Sequence, residues 1–315
     1  MRTILVVASI LSIFRLQGRD LVHPPEPPPV PWLTGPLIAP LGTVIEKGHV
    51  NINCYLYAEI ETGKYNNNWH AHSTPNFYSI NPQIFSIFGI TEWLDFQITP
   101  QFEYNFTRNQ SSVLFGDLPL GFDIQVIGPD LSKWFPGIKL FLKETFPTGK
   151  YQKLKPEKLK TDASGMGTFA TDLGIVLYQV YRLEGHHFLS VTLSYDYSMG
   201  TPVDVEGFNA YGGSSETNGT VWPGNTSTTI CSFEYTINQN WVFAIDNIYT
   251  HTNQTRFSGF PENTLILSSD QISFAPAIEY NFSSKIGIIA GIWFSAFGRN
   301  IQEFCNGVIN FDLNY

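Results

Sequence analysis

The sequence has little charge. Only 14% of its 315 residues are charged, whereas an ordinary soluble protein has about 25%. A surface exposed to water needs charged side chains for solubility, so this composition argues against an ordinary soluble globular protein. The net charge of −9 also argues against nucleic-acid binding, which requires a basic patch.

Long hydrophobic runs and cysteines are scarce as well. After residue 18 no stretch approaches the roughly 18 consecutive apolar residues of a membrane-spanning helix. Cys54, Cys231 and Cys305 are far apart and have neither a CxxC pattern nor a neighbouring histidine cluster, so no disulfide framework or zinc site is expected. The sequence also lacks G-x-S-x-G, HExxH and phosphate-binding glycine motifs. It therefore predicts no catalytic site, no metal and no cofactor.

The beginning of the sequence predicts export. Residues 1–18 contain an apolar core of about a dozen residues between Arg2 and Arg15, which is typical of a secretory signal peptide and too short to cross a bilayer as a helix. A proline-rich stretch follows. Residues 19–47 are interpreted as a periplasmic linker or as a plug inside a barrel, and the side chains that would pack in the lumen are Trp32, Leu33, Leu37 and Ile38.

From Gly48 onward, apolar and polar residues alternate with period two, as in strands with one apolar and one polar face. The clearest example is 93–106, WLDFQITPQFEYNF, where the alternation is long enough for a tilted membrane strand. About twelve segments share this pattern. They are approximately 48–60, 77–88, 93–106, 116–127, 137–146, 167–181, 186–199, 226–237, 241–252, 268–282, 286–297 and 303–315.

The connections between these segments alternate between short and mostly longer ones. Short periplasmic turns, long external loops and an even strand number are typical of outer-membrane barrels. A soluble β-sandwich could bury the apolar faces, but it would not predict this alternation. The sequence therefore predicts an all-β fold: a transmembrane antiparallel β-barrel of about 12 strands (10–14), formed by residues 48–315 in the bacterial outer membrane.

Two features predict partners. Phe311, Leu313 and Tyr315 place an apolar or aromatic residue at every second position up to the last residue, which resembles the assembly signal of outer-membrane proteins. These residues are predicted to be recognised by the barrel-assembly machinery, while the barrel contacts outer-membrane lipid. The lysine-rich segment 143–169 is predicted to include an external loop that is either simply solvated or in contact with anionic lipopolysaccharide.

Ionisable residues are predicted to face the lumen, because a lysine on the lipid side at mid-bilayer costs about 2–4 kcal/mol. The resulting lumen is acidic, with a basic spot. It is either a polar route biased toward cations or an interior in which charges and amides only bind one another. The lumen-facing candidates are Glu59, Asp95, Glu103, Asp123, Lys139, Lys143, Asp172, Asp196, Glu234, Asp246, Glu279 and Asp312.

Several phrases resemble the outer-membrane transporter family grouped under the MetA pathway of phenol degradation. They are WLTGPLIAP (32–40), FPTGKYQKL (146–154), GTFATDLGIVLYQ (167–179), EYTINQNWVFAID (234–246) and APAIEYNFSSKIGIIAGIWFSAFG (275–298). The resemblance covers about residues 30–315 and implies a channel related to the fatty-acid and aromatic-hydrocarbon porins. It implies no particular binding residues.

The functional expectation is passage of small molecules, including apolar or aromatic ones, across the outer membrane. The alternatives are a structural or host-contact surface barrel that transports nothing and, remotely, a hydrolase embedded in a barrel.

Overall fold

The two faces of each strand meet different surroundings. The computed structural model of the protein describes residues 31–315. Along its strands, apolar residues on the outer face, such as Phe96, alternate with buried polar residues. Phe122 is 45% exposed, whereas the adjacent Asp123 is 4% exposed. The same contrast holds for Leu140 at 41% and Lys139 at 1%. Apolar surface is favourable only away from water, so this outer face is a lipid-facing surface.

Residues 31–315 form eighteen strands. In chain order they are β1 (Val50–Tyr65), β2 (Ala71–Thr91), β3 (Leu94–Ile98), β4 (Phe102–Thr107), β5 (Gln110–Phe115), β6 (Leu118–Ile127), β7 (Gly137–Phe146), β8 (Ala170–Arg182), β9 (Phe188–Gly200), β10 (Val203–Glu206), β11 (Asn218–Trp222), β12 (Thr226–Thr236), β13 (Trp241–Thr252), β14 (Thr255–Phe260), β15 (Thr264–Ile266), β16 (Ser269–Asn281), β17 (Ile286–Arg299) and β18 (Gln302–Asn314). Two single-turn 3-10 helices span Pro156–Lys158 and Glu184–His186.

The strands close into an antiparallel barrel, because β1 pairs with β2 on one side and with the last strand β18 on the other. The order around the wall is β1, β2, β3, β6, β7, β8, β9, β12, β13, β16, β17 and β18. Closure pairs the twelve wall strands into a ring, so that nearly all backbone polar groups of the wall are satisfied within it. Among the described strands, β5 pairs with β4 alone. The predicted all-β, 12-strand outer-membrane barrel is confirmed. Among the described residues, no helix has the length and apolar character needed to cross a bilayer.

The third and fourth membrane strands are each interrupted, which the sequence pattern did not predict. Pro100 lacks a backbone N–H and separates β3 from β4. Gly116 and Asp117 separate β5 from β6. The wall stays hydrogen-bonded at the break: Ile84 N–H donates to Pro100 O at 3.1 Å, and Gly116 N–H donates to Gln101 O at 3.0 Å. The predicted loop 107–115 is therefore mostly strand β5.

The predicted connection 61–76 is also wrong in length. β1 continues to Tyr65 and β2 begins at Ala71, leaving a short turn between them. These extensions carry polar residues on both faces, and so they give no period-two signal. Such residues fit strands that rise above the lipid.

We call the end that carries the long connections external and the other end periplasmic, as in other outer-membrane barrels. At the external end, β10, β11, β14 and β15 form a separate four-stranded sheet. Val203, Val205 and Val221 are its buried core. The loop after β7 joins this sheet, since Leu154 N–H donates to Phe208 O at 2.9 Å. The long connections thus form one folded cap.

The lysine-rich loop is held in place rather than freely solvated. Lys150 forms an ion pair with Asp162 at 2.6 Å. Lys153 pairs with Glu206 at 2.8 Å, and this hydrogen bond raises the pKa of the Lys153 ammonium. Leu154 is 5% exposed. Composition alone suggested solvation because lysine spacing does not show where the partner carboxylates lie.

The predicted signal peptide 1–18, and residues 19–30 of the predicted linker or plug, lie outside the described residues. Residues 31–49 run through the periplasmic half of the barrel lumen before β1 begins.

Candidate functional site

Wall carboxylates hold the backbone of residues 31–49 (the N-terminal segment). Ile38 N–H donates to Asp246 Oδ2 at 2.7 Å, and Ile45 N–H donates to Asp95 Oδ2 at 3.0 Å. A third such contact runs from the Thr34 N–H group to Glu279 Oε1. Because this segment has no strand or helix of its own, its buried N–H groups need acceptors from elsewhere. Inward-facing carboxylates supply them.

Small residues of the wall make room for the segment. Leu37 is fully buried and packs against Ala244, Ala275 and Ala277. A Cβ atom on Gly291 would lie 2.8 Å from the Leu37 side chain, so only glycine fits there without a shift. This region is packed like a protein core rather than open like a pore.

The other residues predicted to pack in the lumen also lie in this segment. Ile38 is partly buried against the same apolar cluster, and Trp32 contributes its carbonyl oxygen, which accepts a hydrogen bond from Asn281 Nδ2 at 3.0 Å. Leu33 is partly buried. The tryptophan thus contributes a backbone contact, which its residue type did not indicate.

Two ion pairs account for both predicted lumen lysines. Lys139 contacts Asp123, and both side chains are almost completely buried. Lys143 lies 2.7 Å from Asp172, directly opposite it in the register of β7 and β8, and is more accessible at 36% side-chain exposure. Asp196 is half-buried on β9. The predicted basic spot is therefore balanced by carboxylates.

Two further candidates bind neutral polar groups. Glu234 accepts a hydrogen bond from Ser190 Oγ at 2.8 Å. Asp312 accepts one from Asn314 Nδ2 at 2.7 Å and another from Asn51. These carboxylates belong to the hydrogen-bonded network of the wall.

The external half of the lumen contains a cavity of about 930 Å³. Ile38 of the N-terminal segment is at its inner end, and residues 159–160 and 163–166 of the external loop contribute to its lining. This loop is fixed to the wall through Asp117, whose carboxylate accepts the N–H groups of Gly149 at 2.8 Å and Met166 at 2.9 Å. We call this space the external cavity.

Glu59 and Glu103 are the predicted lumen residues that line the external cavity. Glu61 lines it too, but the predicted first strand stopped at residue 60 and so missed it. Trp293 and Asn306 were also missed. Period two could have placed both on the inner face, but their proximity to Glu59 depends on the pairing between the first and last strands, which no local pattern shows.

No protein-family model matches the chain. No curated protein sequence matches it either. Among solved structures, it is similar to an outer membrane channel from Pseudomonas putida F1, with 14% identity and a TM-score of 0.68 over 87% of this chain and 98% of that one.

Weaker similarities extend to other barrels. The β domain of the Bordetella autotransporter BrkA has 8% identity and a TM-score of 0.49, covering 86% of this chain and 100% of that one. A mutant of the TodX monoaromatic hydrocarbon channel has 9% identity and a TM-score of 0.39, covering 86% and 90%. The similarity to the Pseudomonas putida channel shows that the chain has the fold of an outer-membrane β-barrel.

Proposed function

We propose that the protein is an outer-membrane channel or transporter for small molecules, in which the N-terminal segment closes the periplasmic half of the lumen. The observation that carries this proposal is the external cavity, which ends on Ile38 of that segment. A purely structural barrel of this size would need neither a cavity of about 930 Å³ nor a separate segment occupying its interior.

Two similarities support the proposal. The protein with the same fold from Pseudomonas putida F1 is described as an outer membrane channel. The resemblance of WLTGPLIAP and other phrases to the MetA-pathway transporter family favours small apolar or aromatic cargo. The external cavity also lies within the usual range of small-molecule sites, roughly 300–1,000 Å³.

Assembly and surface contacts belong to the same proposal. Phe311 and Tyr315 are 48% and 65% exposed, which leaves their side chains accessible to the barrel-assembly machinery. Lys155 is exposed at the external end and is available to anionic lipopolysaccharide.

The test is the single-channel conductance of a variant lacking residues 24–40. This deletion removes Leu37 and Ile38 together with the backbone donors to Asp246 and Glu279, and water then hydrates these carboxylates in the open lumen. We expect the deletion to raise conductance several-fold, since a 12-strand barrel is wider than the eight-strand kind that side chains alone fill.

A deletion of residues 212–215 in the external cap is the matched control, because it shortens the chain away from the lumen and should leave conductance unchanged. Heat-modifiability on gels would establish that both variants contain a folded barrel. A folded 24–40 deletion with unchanged conductance would contradict the channel proposal and favour a structural or host-contact role.

A further inference from the structure

The external cavity holds carboxylates that bind only weak, neutral donors among the described residues. Glu59 accepts from Asn306 Nδ2 at 3.1 Å, and Glu61 accepts from Gln302 Nε2 at 3.3 Å. Glu103 accepts from an amide as well, at 3.3 Å. A carboxylate that is partly removed from water is stabilised best by a positive charge, and amides do not supply one.

The cavity contains little positive charge of its own. Of the described residues that line it, Lys160 alone is basic, and it is exposed on the loop above the barrel wall. Asp117 also lines the cavity, but its oxygens bind the backbone N–H groups of the loop. The site is therefore acidic overall, and Glu59, Glu61 and Glu103 lack cationic hydrogen-bond partners.

Asn306 is an independent indication of a missing donor. It lines the cavity and is 3% exposed, and its Oδ1 atom has no hydrogen-bond partner among the described residues. Its Nδ2 already donates to Glu59. A buried acceptor without a donor is destabilising. A ligand that donates N–H groups beside Glu59 would satisfy it.

An aromatic surface lies next to this acceptor. Where β17 pairs with β18, Trp293 lies directly opposite Asn306. Where β1 pairs with β18, Glu59 also lies directly opposite Asn306. Trp293 Nε1 donates to Ser273 Oγ at 3.0 Å, and its ring packs against Phe304 with centroids 5.0 Å apart. These contacts hold the indole in one orientation. Tryptophan is the best partner for a cation among the aromatic residues, and it also binds aromatic rings.

We propose that the external cavity is a binding site for small aromatic ammonium ions, with the ammonium group between Glu59 and Asn306 Oδ1 and the ring against Trp293. The biological role of this site rests on the proposed channel function, because the site selects the class of molecule that the channel admits. It excludes anionic aromatic compounds, which the carboxylates repel.

Binding of 2-phenylethylammonium chloride to the full chain in detergent tests the site by calorimetry and by tryptophan fluorescence. The neutral 2-phenylethanol and the anionic phenylacetate are matched probes. We expect the alcohol to bind at least tenfold more weakly than the ammonium ion, and phenylacetate not to bind measurably. Equal binding of the alcohol and the ammonium ion, or no binding of the ammonium ion, would overturn the proposal.

Charge variants locate the site. Glu59→Gln, Glu61→Gln and Glu103→Gln preserve side-chain shape and should each weaken ammonium binding by about fivefold, as expected for one partly solvated charge interaction. Lys160→Gln removes the competing positive charge and should strengthen binding. Asp204→Asn, which removes a carboxylate from the external sheet, is the matched control and should change nothing.

Lys160 is exposed, so its variant tests the site even if a carboxylate variant fails to fold. Weaker ammonium binding after Lys160→Gln would contradict the assignment. So would an Asp204→Asn variant that weakens binding as much as the cavity carboxylate variants do. The binding assay needs no membrane, which separates the two proposals. Ammonium binding without conductance in either the full chain or the 24–40 deletion would leave the site standing and remove the channel. Conductance without ammonium binding would leave the channel standing and remove the site.

Discussion

The two halves of the lumen contain similar residue types but hold their carboxylates differently. In the periplasmic half, Asp95 and Asp246 accept backbone N–H groups of the N-terminal segment, and Asp123 contacts Lys139. In the external half, Glu59 and Glu103 accept only side-chain amides among the described residues, and they line an open cavity.

This difference separates two roles for inward-facing acidic residues. A carboxylate with a backbone or cationic partner fixes a piece of structure, and removing the partner leaves a buried charge without compensation. A carboxylate that faces water and neutral amides retains the capacity to bind a cation from solution. In the periplasmic half, the carboxylates are bound within the protein, as in an interior where charges and amides only bind one another. The external half is where we propose that a cation binds.

The largest effect should come from substitutions on the outer face of β18. Without this strand the barrel cannot close, and neither half of the lumen forms. Replacing Phe311, Leu313 and Tyr315 with serine should block assembly and leave the protein in the periplasm, as measured by membrane fractionation. Replacing the inward-facing Asn310 with serine is the control and should permit assembly. Normal outer-membrane yield of the triple variant would show that these residues are not the assembly signal.

The second largest effect should distinguish the two ion pairs. Lys139→Met leaves Asp123 buried without its cation and should cost about 3–5 kcal/mol of folding free energy. Lys143→Met in the more accessible pair should cost about 1 kcal/mol or less. Urea unfolding in detergent measures both, and adding Asp123→Leu to Lys139→Met should recover much of the loss. Equal costs for the two lysine variants would show that burial does not set how much each ion pair contributes to stability.

A smaller effect is expected from the packing of the N-terminal segment. Leu37→Ala should weaken docking of the segment by about 2–4 kcal/mol, because Leu37 is fully buried. The expected result is more frequent channel opening in planar bilayers. Leu33→Ala is the control, since Leu33 is only partly buried. If both variants opened equally often, burial of Leu37 would not be what holds the segment.

Much of the barrel could be predicted because lipid enforces a strict rule on each strand. An outward residue such as Phe122 must be apolar, and its neighbour Asp123 is free to be polar, so period two marks the wall. The rule fails where lipid is absent. The polar extensions of β1 and β2, and the external sheet formed by β10, β11, β14 and β15, therefore gave no comparable signal.

The site was less predictable because its geometry depends on pairings between distant parts of the chain. Glu59 meets Asn306 only because the first and last strands pair when the barrel closes. Asp246 and Asp95 were predicted to face the lumen, but their partners are backbone N–H groups, which carry no residue signature. The alternation identifies which residues face inward, while strand register and the path of the N-terminal segment decide what they bind.

The central claim is that the N-terminal segment occupies the periplasmic half of the lumen and restricts passage through it. A disulfide between Thr34→Cys and Gly287→Cys tests it directly, because a Cβ at position 287 would lie 3.4 Å from the Thr34 Cβ, close to the spacing of a natural disulfide. The background would carry alanine in place of Cys54, Cys231 and Cys305. Oxidation should form this cross-link in the folded barrel and keep the conductance low. Reduction should again allow the N-terminal segment to leave the lumen, and larger channel openings should follow. A folded barrel that does not form the cross-link, or a cross-linked barrel that conducts like the 24–40 deletion, would contradict the account.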